Sequence, residues 1–286
     1  LTRQGVRMAP TMLVLRALKL GDLLVAVPAI RGLRRAFAGH RMVLATSGWL
    51  APVVELIGGV DELLAVPGLD AHLPLPAGRV DVAANLHGSG ARSRDLVDAL
   101  AARVTIAHHV PEIDGDRSDA PALPRWRDDL HERERWTRLV GAFGVPADPL
   151  DLRLRTPPPA AVVAGATVLH VGAAYGSRRW PVPRFAAVAR ALADHGHRVV
   201  LTGGDAERER AVHIARVAGI EEGMVLAGRT ELAELVALIA AARLVVSADT
   251  GAAHLASAYG RPSVVLFGPA PPSEWGPPPG PHIAYR

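Results

Sequence analysis

The chain has 286 residues, of which 49% are hydrophobic, and its formal net charge at pH 7 is +4. This composition supports a large core and excludes a globally disordered chain, while the length fits about two domains. No cysteine is present, which excludes disulfide bonds, thiolate zinc sites and cysteine nucleophiles. No apolar run reaches the roughly 18 residues of a membrane span, and the polar start lacks the apolar core of a signal peptide. We therefore expect a cytoplasmic protein.

The positive charge of the chain is almost entirely arginine, because Lys19 is the only lysine among 32 basic residues. Arginine binds phosphate oxygens with two parallel hydrogen bonds, so this balance favours nucleotides or anionic membrane surfaces as partners. An arginine-rich genome would produce the same composition, with solvated arginines on helix faces. The arginines are dispersed and only 4% of the residues are aromatic, so nucleic acid is not predicted as a partner.

Strand-like and helix-like patterns alternate along the first half of the chain. Strands are predicted over residues 12–15, 41–46, 63–67, 80–86 and 104–107. Helices are predicted over residues 23–37, 49–57, 91–101 and 128–143, and residues 111–127 are predicted to be irregular. A proline-rich stretch over 146–159 breaks the periodicity and marks the best domain boundary.

The second half repeats the alternation. Strands are predicted over residues 168–173, 199–204, 244–246 and 263–269, and helices over 183–195, 205–218 and 231–242. The tail over residues 269–281 is proline-rich and predicted to be irregular. The pattern indicates an α/β fold with two Rossmann-like, doubly wound parallel sheets that face a cleft. The predicted domains are residues 1–156 and 160–286.

Two strand exits carry candidate site residues. Asp22 follows the first strand and lies at or near a helix N-cap, where it is either a capping residue or a carboxylate at the ligand-binding edge of a parallel sheet. Asp249 and Thr250 can cap the helix that follows the strand at 244–246, and Gly251 lets the backbone approach a ligand closely. Helix-opening amides bind anions, although an ordinary capped turn has the same sequence.

Several other motifs are weak. Residues 88–90 (Gly-Ser-Gly) form two thirds of a dinucleotide fingerprint, but Ser93 occupies the third glycine position and no acidic partner follows, so no cofactor is predicted. The Asp-Gly-Asp of residues 114–116 lies in a polar stretch and is predicted to be a surface loop. The histidines at 108–109 and His131 lack a second ligand cluster, so no metal site is predicted.

In their combination and order, the motifs of both halves resemble glycosyltransferase family 9, the lipopolysaccharide heptosyltransferase family. The motifs are Leu13-Val14-Leu15-Arg16, Gly21-Asp22, Pro28-Ala29-Ile30, His170-Val171-Gly172-Ala173, Arg178-Arg179-Trp180-Pro181, Thr202-Gly203-Gly204, Ser247-Ala248-Asp249-Thr250-Gly251, His254-Leu255-Ala256 and Leu266-Phe267-Gly268-Pro269. Residues 70–148 carry little of this resemblance, so the acceptor stays open.

The resemblance implies a GT-B fold, with a nucleoside-diphosphate-sugar donor on the C-terminal domain and a glycan or lipid-linked acceptor on the N-terminal domain. It implies metal-independent transfer of a heptose-like sugar with inversion, and peripheral contact with the inner membrane surface is expected. Asp22 matches the general base, and Arg178 takes the place of a phosphate-binding lysine. The other predicted donor-site residues are Thr202, Gly203, Asp249, Thr250, Gly251 and His254, the last of which either lines the site or packs inside its helix.

Two alternatives share the predicted architecture. A sugar-nucleotide epimerase would need further carboxylates around the donor sugar, and a non-catalytic nucleotide-sugar binding protein would need no base, whereas Asp22 is present. The sequence also departs from the expected pattern, since no helix that could return across the first domain is predicted after Gly268-Pro269. If catalysis uses Asp22 from one domain and Asp249 from the other, it depends on closure between the domains.

Overall fold

In a computed structural model of the chain, the described residues are 9–115, 123–160, 163–173 and 176–286. So far as they are described, these residues form two compact units. The first consists of Leu1–Lys19, Ala26–Asp128 and Arg133–Asp151, and the second of Leu20–Val25, Asp129–Glu132 and Leu152–Arg286. Within these described ranges, no helix has both the length and the apolar character needed to cross a membrane.

The first unit is built on a parallel five-stranded sheet of order β3-β2-β1-β4-β5. Its strands are β1 Thr11–Leu15, β2 Arg41–Thr46, β3 Glu62–Ala65, β4 Val82–Asn85 and β5 Val104–Ile106. Its helices are α1 Leu20–Ala36, which the second unit shares through its first six residues, α2 Ala51–Ile57, α3 Ala91–Asp98, α4 Pro111–Asp114 and α5 Glu132–Ala142. The four last residues of β1 are buried, as expected of a central strand covered on both faces.

The second unit holds another parallel five-stranded sheet, of order β10-β9-β8-β6-β7. Its strands are β6 Thr167–His170, β7 Val199–Thr202, β8 Leu244–Ala248, β9 Ser263–Leu266 and β10 His282–Tyr285. Its helices are α6 Val182–Asp194, α7 Arg208–Ala218, α8 Leu232–Ala240, α9 Gly251–Ala258 and α10 Pro272–Trp275. A core cluster that includes Leu169, Phe185 and Ile214 fills the space between this sheet and its helices.

The predicted fold class of two Rossmann-like, doubly wound parallel sheets is confirmed. Some local predictions were wrong. The tail over 269–281 is not wholly irregular, because it contains α10, and it leads into β10, which was not predicted and which pairs with β9 with Tyr285 opposite Leu266. Helix α1 begins at Leu20, three residues earlier than predicted, so Asp22 lies inside its first turn rather than at the N-cap.

In each sheet, the order in which successive strands are added changes side once, although all strands stay parallel. The chain passes from β1 outward to β2 and β3 and then returns to the other side of β1 with β4. In the second sheet it passes from β6 outward to β7 and returns to the other side of β6 with β8. Open α/β sheets bind ligands at such reversal points, outside the carboxyl ends of the strands. In the second unit, this rule selects the edge formed by the ends of β6 and β8.

Candidate active site

The turn from β8 to α9 lies at the selected edge. The amide of Asp249 donates a hydrogen bond to the Leu266 carbonyl at 3.1 Å, which ties the turn to β9. The carbonyl of Thr250 accepts hydrogen bonds from the amides of Ala253 and His254, at 3.0 and 3.4 Å. An α-helix offers no acceptor of its own to the first amides of its first turn, and their partial positive charge suits an anion. The start of α9 therefore presents amide donors of the kind that bind anions.

Asp249 is the buried acidic group of this turn, with 4% of its side chain exposed. Its Oδ2 lies 3.0 Å from Nη1 of Arg178, and its Oδ1 lies 3.7 Å from Nε2 of His254. Burial raises the pKa of the Asp249 carboxyl, and the nearby Asp22 carboxylate raises it further, whereas the Arg178 guanidinium lowers it. All four side chains belong to the second compact unit, which brings the predicted base and three predicted donor-site residues together.

Two hydroxyl groups of the β8–α9 segment are buried without a hydrogen-bond partner in the described part of the chain. They are Oγ of Ser247 and Oγ1 of Thr250. The prediction that the Thr250 side chain caps α9 was wrong: Thr250 occupies the N-cap position in an extended conformation, but its hydroxyl makes no capping hydrogen bond. A buried hydroxyl without a partner is destabilising by about 1–3 kcal/mol, which an incoming ligand oxygen could offset.

Arg178 reaches the turn from a short 3-10 segment, Gly176–Arg178. A Cβ placed on Gly268 would lie 3.0 Å from the carbonyl oxygen of Ser177. The chain after β9 therefore packs tightly against the arginine-bearing segment, and a side chain at position 268 would require a small shift there. Ala174 and Tyr175, which lie between β6 and this segment, are outside the described residues.

The turn from β7 to α7 carries its own carboxylate. Glu207 accepts a hydrogen bond from the amide of Gly204 at 2.9 Å and forms an ion pair with Arg179 at 3.4 Å. A Cβ on Gly203 would lie 3.0 Å from Cβ of Glu207, so this turn closes tightly around that side chain. Thr202 ends β7, immediately before Gly203. Thr202 and Gly203 thus lie at the same sheet edge as the β8–α9 turn, in a turn already occupied by a protein carboxylate.

His170 lies at the same sheet edge and in one of the family-like motifs, but it was not among the site residues predicted from the sequence. It ends β6, beside β8, and its Nδ1 lies 3.0 Å from Oγ1 of Thr202. Burial lowers the pKa of its imidazole to about 4, so the ring is neutral at physiological pH. The signal that could have found it is its position at the last residue of the strand where the sheet reverses direction.

Asp22 and His254 also lie at this edge of the second unit. Asp22 is half-buried in the first turn of α1. His254 is buried one helical turn after Gly251, and its ring lies edge-on to that of Trp275, with the centroids 6.1 Å apart. The sequence left open whether His254 packs or lines the site, and these contacts show that it packs while one nitrogen faces Asp249.

Residues of the weak motifs in the first unit form hydrogen bonds that stabilise the fold. Ser93, in the third place of the incomplete dinucleotide fingerprint, accepts a hydrogen bond from the Asn85 side chain and donates one to the Gly90 carbonyl, both at 3.0 Å. Asp114 is not in a loop but ends α4, and it forms two 3.0 Å hydrogen bonds with Arg94. Asp116 lies outside the described residues. These contacts hold the β4–α3 loop and α4 in place.

The histidines considered as metal ligands are dispersed. His108 packs edge-on against Trp126 and Trp136, and burial lowers the pKa of its imidazole to about 4. His109 contacts the Gly115 carbonyl, and His131 lies in the second unit with Nε2 2.9 Å from the Gly276 carbonyl. Within the ranges that the structure describes, no three histidine or acidic side chains form a group that could hold a metal ion.

The sequence of the second half matches a known family. Residues 148–282 match the sequence model of glycosyltransferase family 9 (heptosyltransferase). The resemblance to that family is thereby confirmed. Lipopolysaccharide heptosyltransferase 2 of Escherichia coli is 39% identical over 105 residues, which are 35% of this chain and 30% of that protein. Lipopolysaccharide heptosyltransferase 1 of Salmonella typhimurium is 24% identical over 290 residues, which cover 91% of this chain and 89% of that protein.

The fold is shared with a solved family member. The structure of E. coli ADP-heptose LPS heptosyltransferase II superposes with a TM-score of 0.78 at 23% identity, covering 96% of this chain and 90% of that one. The predicted GT-B fold is confirmed by this likeness. The chain spans about 30% of the length of the curated heptosyltransferase 2 relatives that it matches at the highest similarity.

Proposed function

We propose that this chain is an inverting, metal-independent glycosyltransferase that moves a heptose from ADP-heptose to a glycan or lipid-linked acceptor of the lipopolysaccharide type. The observation that carries the proposal is the grouping of Asp22, Arg178 and Asp249 in the second unit, next to the start of α9. The sugar and the nucleotide are taken from the names of the relatives and of the solved ADP-heptose LPS heptosyltransferase II.

The β8–α9 turn is proposed to hold the diphosphate of the donor. Its first amides and the Thr250 hydroxyl supply donors, and Arg178 supplies a cation. A guanidinium carries five N–H groups, so Arg178 can keep one on Asp249 and direct others at phosphate oxygens. Donors that are fixed before the reaction stabilise the charge that develops on the leaving diphosphate. Asp249 is proposed to contact the donor sugar. Thr202 and Gly203 are proposed to border the donor site from β7.

Asp22 is proposed to be the general base. Its carboxylate takes the proton of the acceptor hydroxyl while that oxygen bonds to the anomeric carbon. The bond between the anomeric carbon and the diphosphate oxygen breaks, and ADP leaves with the electron pair. Attack from the side opposite the leaving group inverts the anomeric configuration. The Asp22 carboxylate raises the pKa of the buried Asp249 carboxyl, and both groups belong to the second unit, which supports their placement around one substrate.

The acceptor is proposed to lie at the inner membrane surface, which the chain would contact peripherally. Support comes from the net charge of +4 and its arginine composition, because cationic side chains favour anionic surfaces. Binding to vesicles of anionic lipid, compared with neutral vesicles, measures this association. Equal binding to both would contradict the electrostatic part of the proposal.

The proposed function is tested by acceptor-dependent release of ADP from ADP-heptose in the presence of a chelator. Asp22→Asn is expected to lower turnover by about 10²–10⁴-fold, the usual contribution of a general base, while ADP binding persists. Asp95→Asn, which changes an exposed helical carboxylate of α3, is the matched control and should remain fully active. Full activity of Asp22→Asn would contradict the assignment of the base.

The alternatives give different results in the same assay. Isomerised sugar without an acceptor would favour an epimerase, and ADP-heptose binding without turnover would favour a non-catalytic binding protein. Loss of acceptor-dependent ADP release on chelation would contradict metal independence.

A further inference from the structure

Two glycines lie where the first turn of α1 meets the first turn of α9. A Cβ added to Gly21 would lie 2.9 Å from Cδ2 and 3.3 Å from Nε2 of His254. A Cβ added to Gly251 would lie 2.7 and 2.8 Å from Cδ2 and Cγ of Leu20. Neither glycine has a positive φ, so their small size matters here and not an unusual backbone conformation.

The two contacts are reciprocal. Leu20 of α1 packs onto Gly251 of α9, and His254 of α9 packs onto Gly21 of α1. Leu20 and His254 are both buried, so each contact excludes water. We call these four residues the glycine interlock. All four belong to the second compact unit.

The interlock joins the residues proposed to act on the two sides of the transferred sugar. Asp22 directly follows Gly21 in the first turn of α1, and Asp249 and Thr250 directly precede Gly251. His254 is fixed from other sides as well, by the ring of Trp275 and by Asp249, whose Oδ1 is 3.7 Å from its Nε2. A movement of His254 or Gly21 would therefore change the position of Asp22 relative to the β8–α9 turn.

We propose that the glycine interlock sets the position of the Asp22 carboxylate relative to the phosphate-binding turn, and that His254 is a positioning residue acting through Gly21. The inference rests on the proposed function. Displacement of a reacting group by about 1 Å can lower turnover by about 100-fold without loss of substrate binding. The interlock is thus expected to affect kcat more than the KM for the donor.

The test uses Gly21→Ala, His254→Ala and the double variant, with the ADP-release assay. Gly21→Ala is expected to lower kcat by about 10–100-fold, because the new methyl group displaces the first turn of α1. The KM for ADP-heptose is expected to change less than about threefold, because the α9 amides and Arg178 are untouched. Gly141→Ala is the matched control and should retain kcat, because it lies at an exposed position of α5. Apart from its chain neighbours and the backbone of its own helix, no described atom lies within 4 Å of the added Cβ.

The double variant decides the mechanism. His254→Ala removes the ring atoms that a methyl group at position 21 would contact. Adding Gly21→Ala to the His254→Ala variant should therefore not change kcat further. Such non-additivity identifies a direct contact. Independent, multiplicative losses would overturn the proposal, as would full activity of Gly21→Ala. If Gly21→Ala alone does not fold, the interlock still predicts a folded double variant with the kcat of His254→Ala, and an unfolded double variant would overturn it.

Failure of the proposed function is distinguishable from failure of the interlock. If the wild-type chain releases no ADP, the function fails, and the interlock is then tested by the thermal unfolding of the same four variants. Gly21→Ala should lower the midpoint in the wild-type background but not in the His254→Ala background. Equal shifts in both backgrounds would overturn the interlock.

Discussion

The ion pair between Arg178 and Asp249 makes a strong prediction for Arg178→Ala. The variant leaves a carboxylate that is 4% exposed without the guanidinium that lies 3.0 Å away. Removing one partner of a fully buried pair costs about 3–5 kcal/mol. Arg178 is 30% exposed, so water can reach Asp249 after truncation and reduce this penalty. We expect the free energy of unfolding to fall by about 2 kcal/mol at pH 8.

The loss of stability in Arg178→Ala is expected to depend on pH. Burial raises the pKa of Asp249 above its ordinary value and Arg178 opposes that increase, so the variant should raise the pKa further. A carboxyl whose pKa is higher in the folded than in the unfolded state binds its proton more tightly when folded. Stability is therefore gained as the pH falls through the folded pKa. Each unit of difference corresponds to about 1.4 kcal/mol, so the deficit of Arg178→Ala should shrink at pH 5.

Urea unfolding followed by tryptophan fluorescence at pH 8 and pH 5 measures both effects. The matched control is Arg179→Ala, because Arg179 is 44% exposed and its pair with Glu207 is longer, at 3.4 Å. That variant should lose no more than about 1 kcal/mol. Adding Asp249→Asn to Arg178→Ala removes the buried charge and should recover much of the loss. A deficit equal to that of Arg179→Ala, or unchanged between the two pH values, would refute the reasoning.

Two further predictions concern the first unit. Hydrogen bonds and charge from Arg103 and His40 lower the pKa of Asp81 to about 2, so its stabilising contribution is present above about pH 4 and is lost as the pH falls towards 2. In an acid titration of unfolding, Asp81→Asn should flatten this pH dependence, and an unchanged slope would contradict the assignment. Trp136 is 1% exposed, so Trp136→Ala should lower the free energy of unfolding by about 3–5 kcal/mol. Denaturant unfolding measures this loss, with Trp49→Ala as the control, because Trp49 is 55% exposed and its replacement should change the free energy of unfolding little. Similar losses of stability for both variants would show that burial does not govern the effect.

Much of the fold could be predicted because strands covered on both faces are continuous apolar runs. Leu13-Val14-Leu15 and Val245-Val246 are such runs, and the helices between strands have their own spacing. Strand β10 could not be found in this way, because His282–Tyr285 is short and follows a proline-rich stretch. Its assignment depends on pairing with β9, a tertiary contact. The early start of α1 has a similar cause, since Leu20 is buried against Gly251.

The parts of the candidate site that consist of residues adjacent in sequence were predictable. The parts that depend on contacts between distant segments were not. Asp249 and Gly251 lie at a strand-to-helix turn that the sequence itself indicates. The contact of His170 with Thr202 joins residues 32 positions apart, and the approach of Gly21 to His254 joins two helix starts. No local sequence pattern predicts either contact, because each forms only when strands and helices from separate parts of the chain pack together.

Glu207 has a consequence for the orientation of the donor. Its carboxylate, bound to the Gly204 amide and paired with Arg179, occupies the start of the helical segment after β7 as a built-in anion. The Gly204 amide is therefore already paired, whereas the helix offers no acceptor to the first amides of α9. With the proposed function, the two turns at this sheet edge therefore differ in the amide donors that they leave for an incoming phosphate. We therefore expect the diphosphate of the donor to bind at the α9 turn and not at the turn after β7.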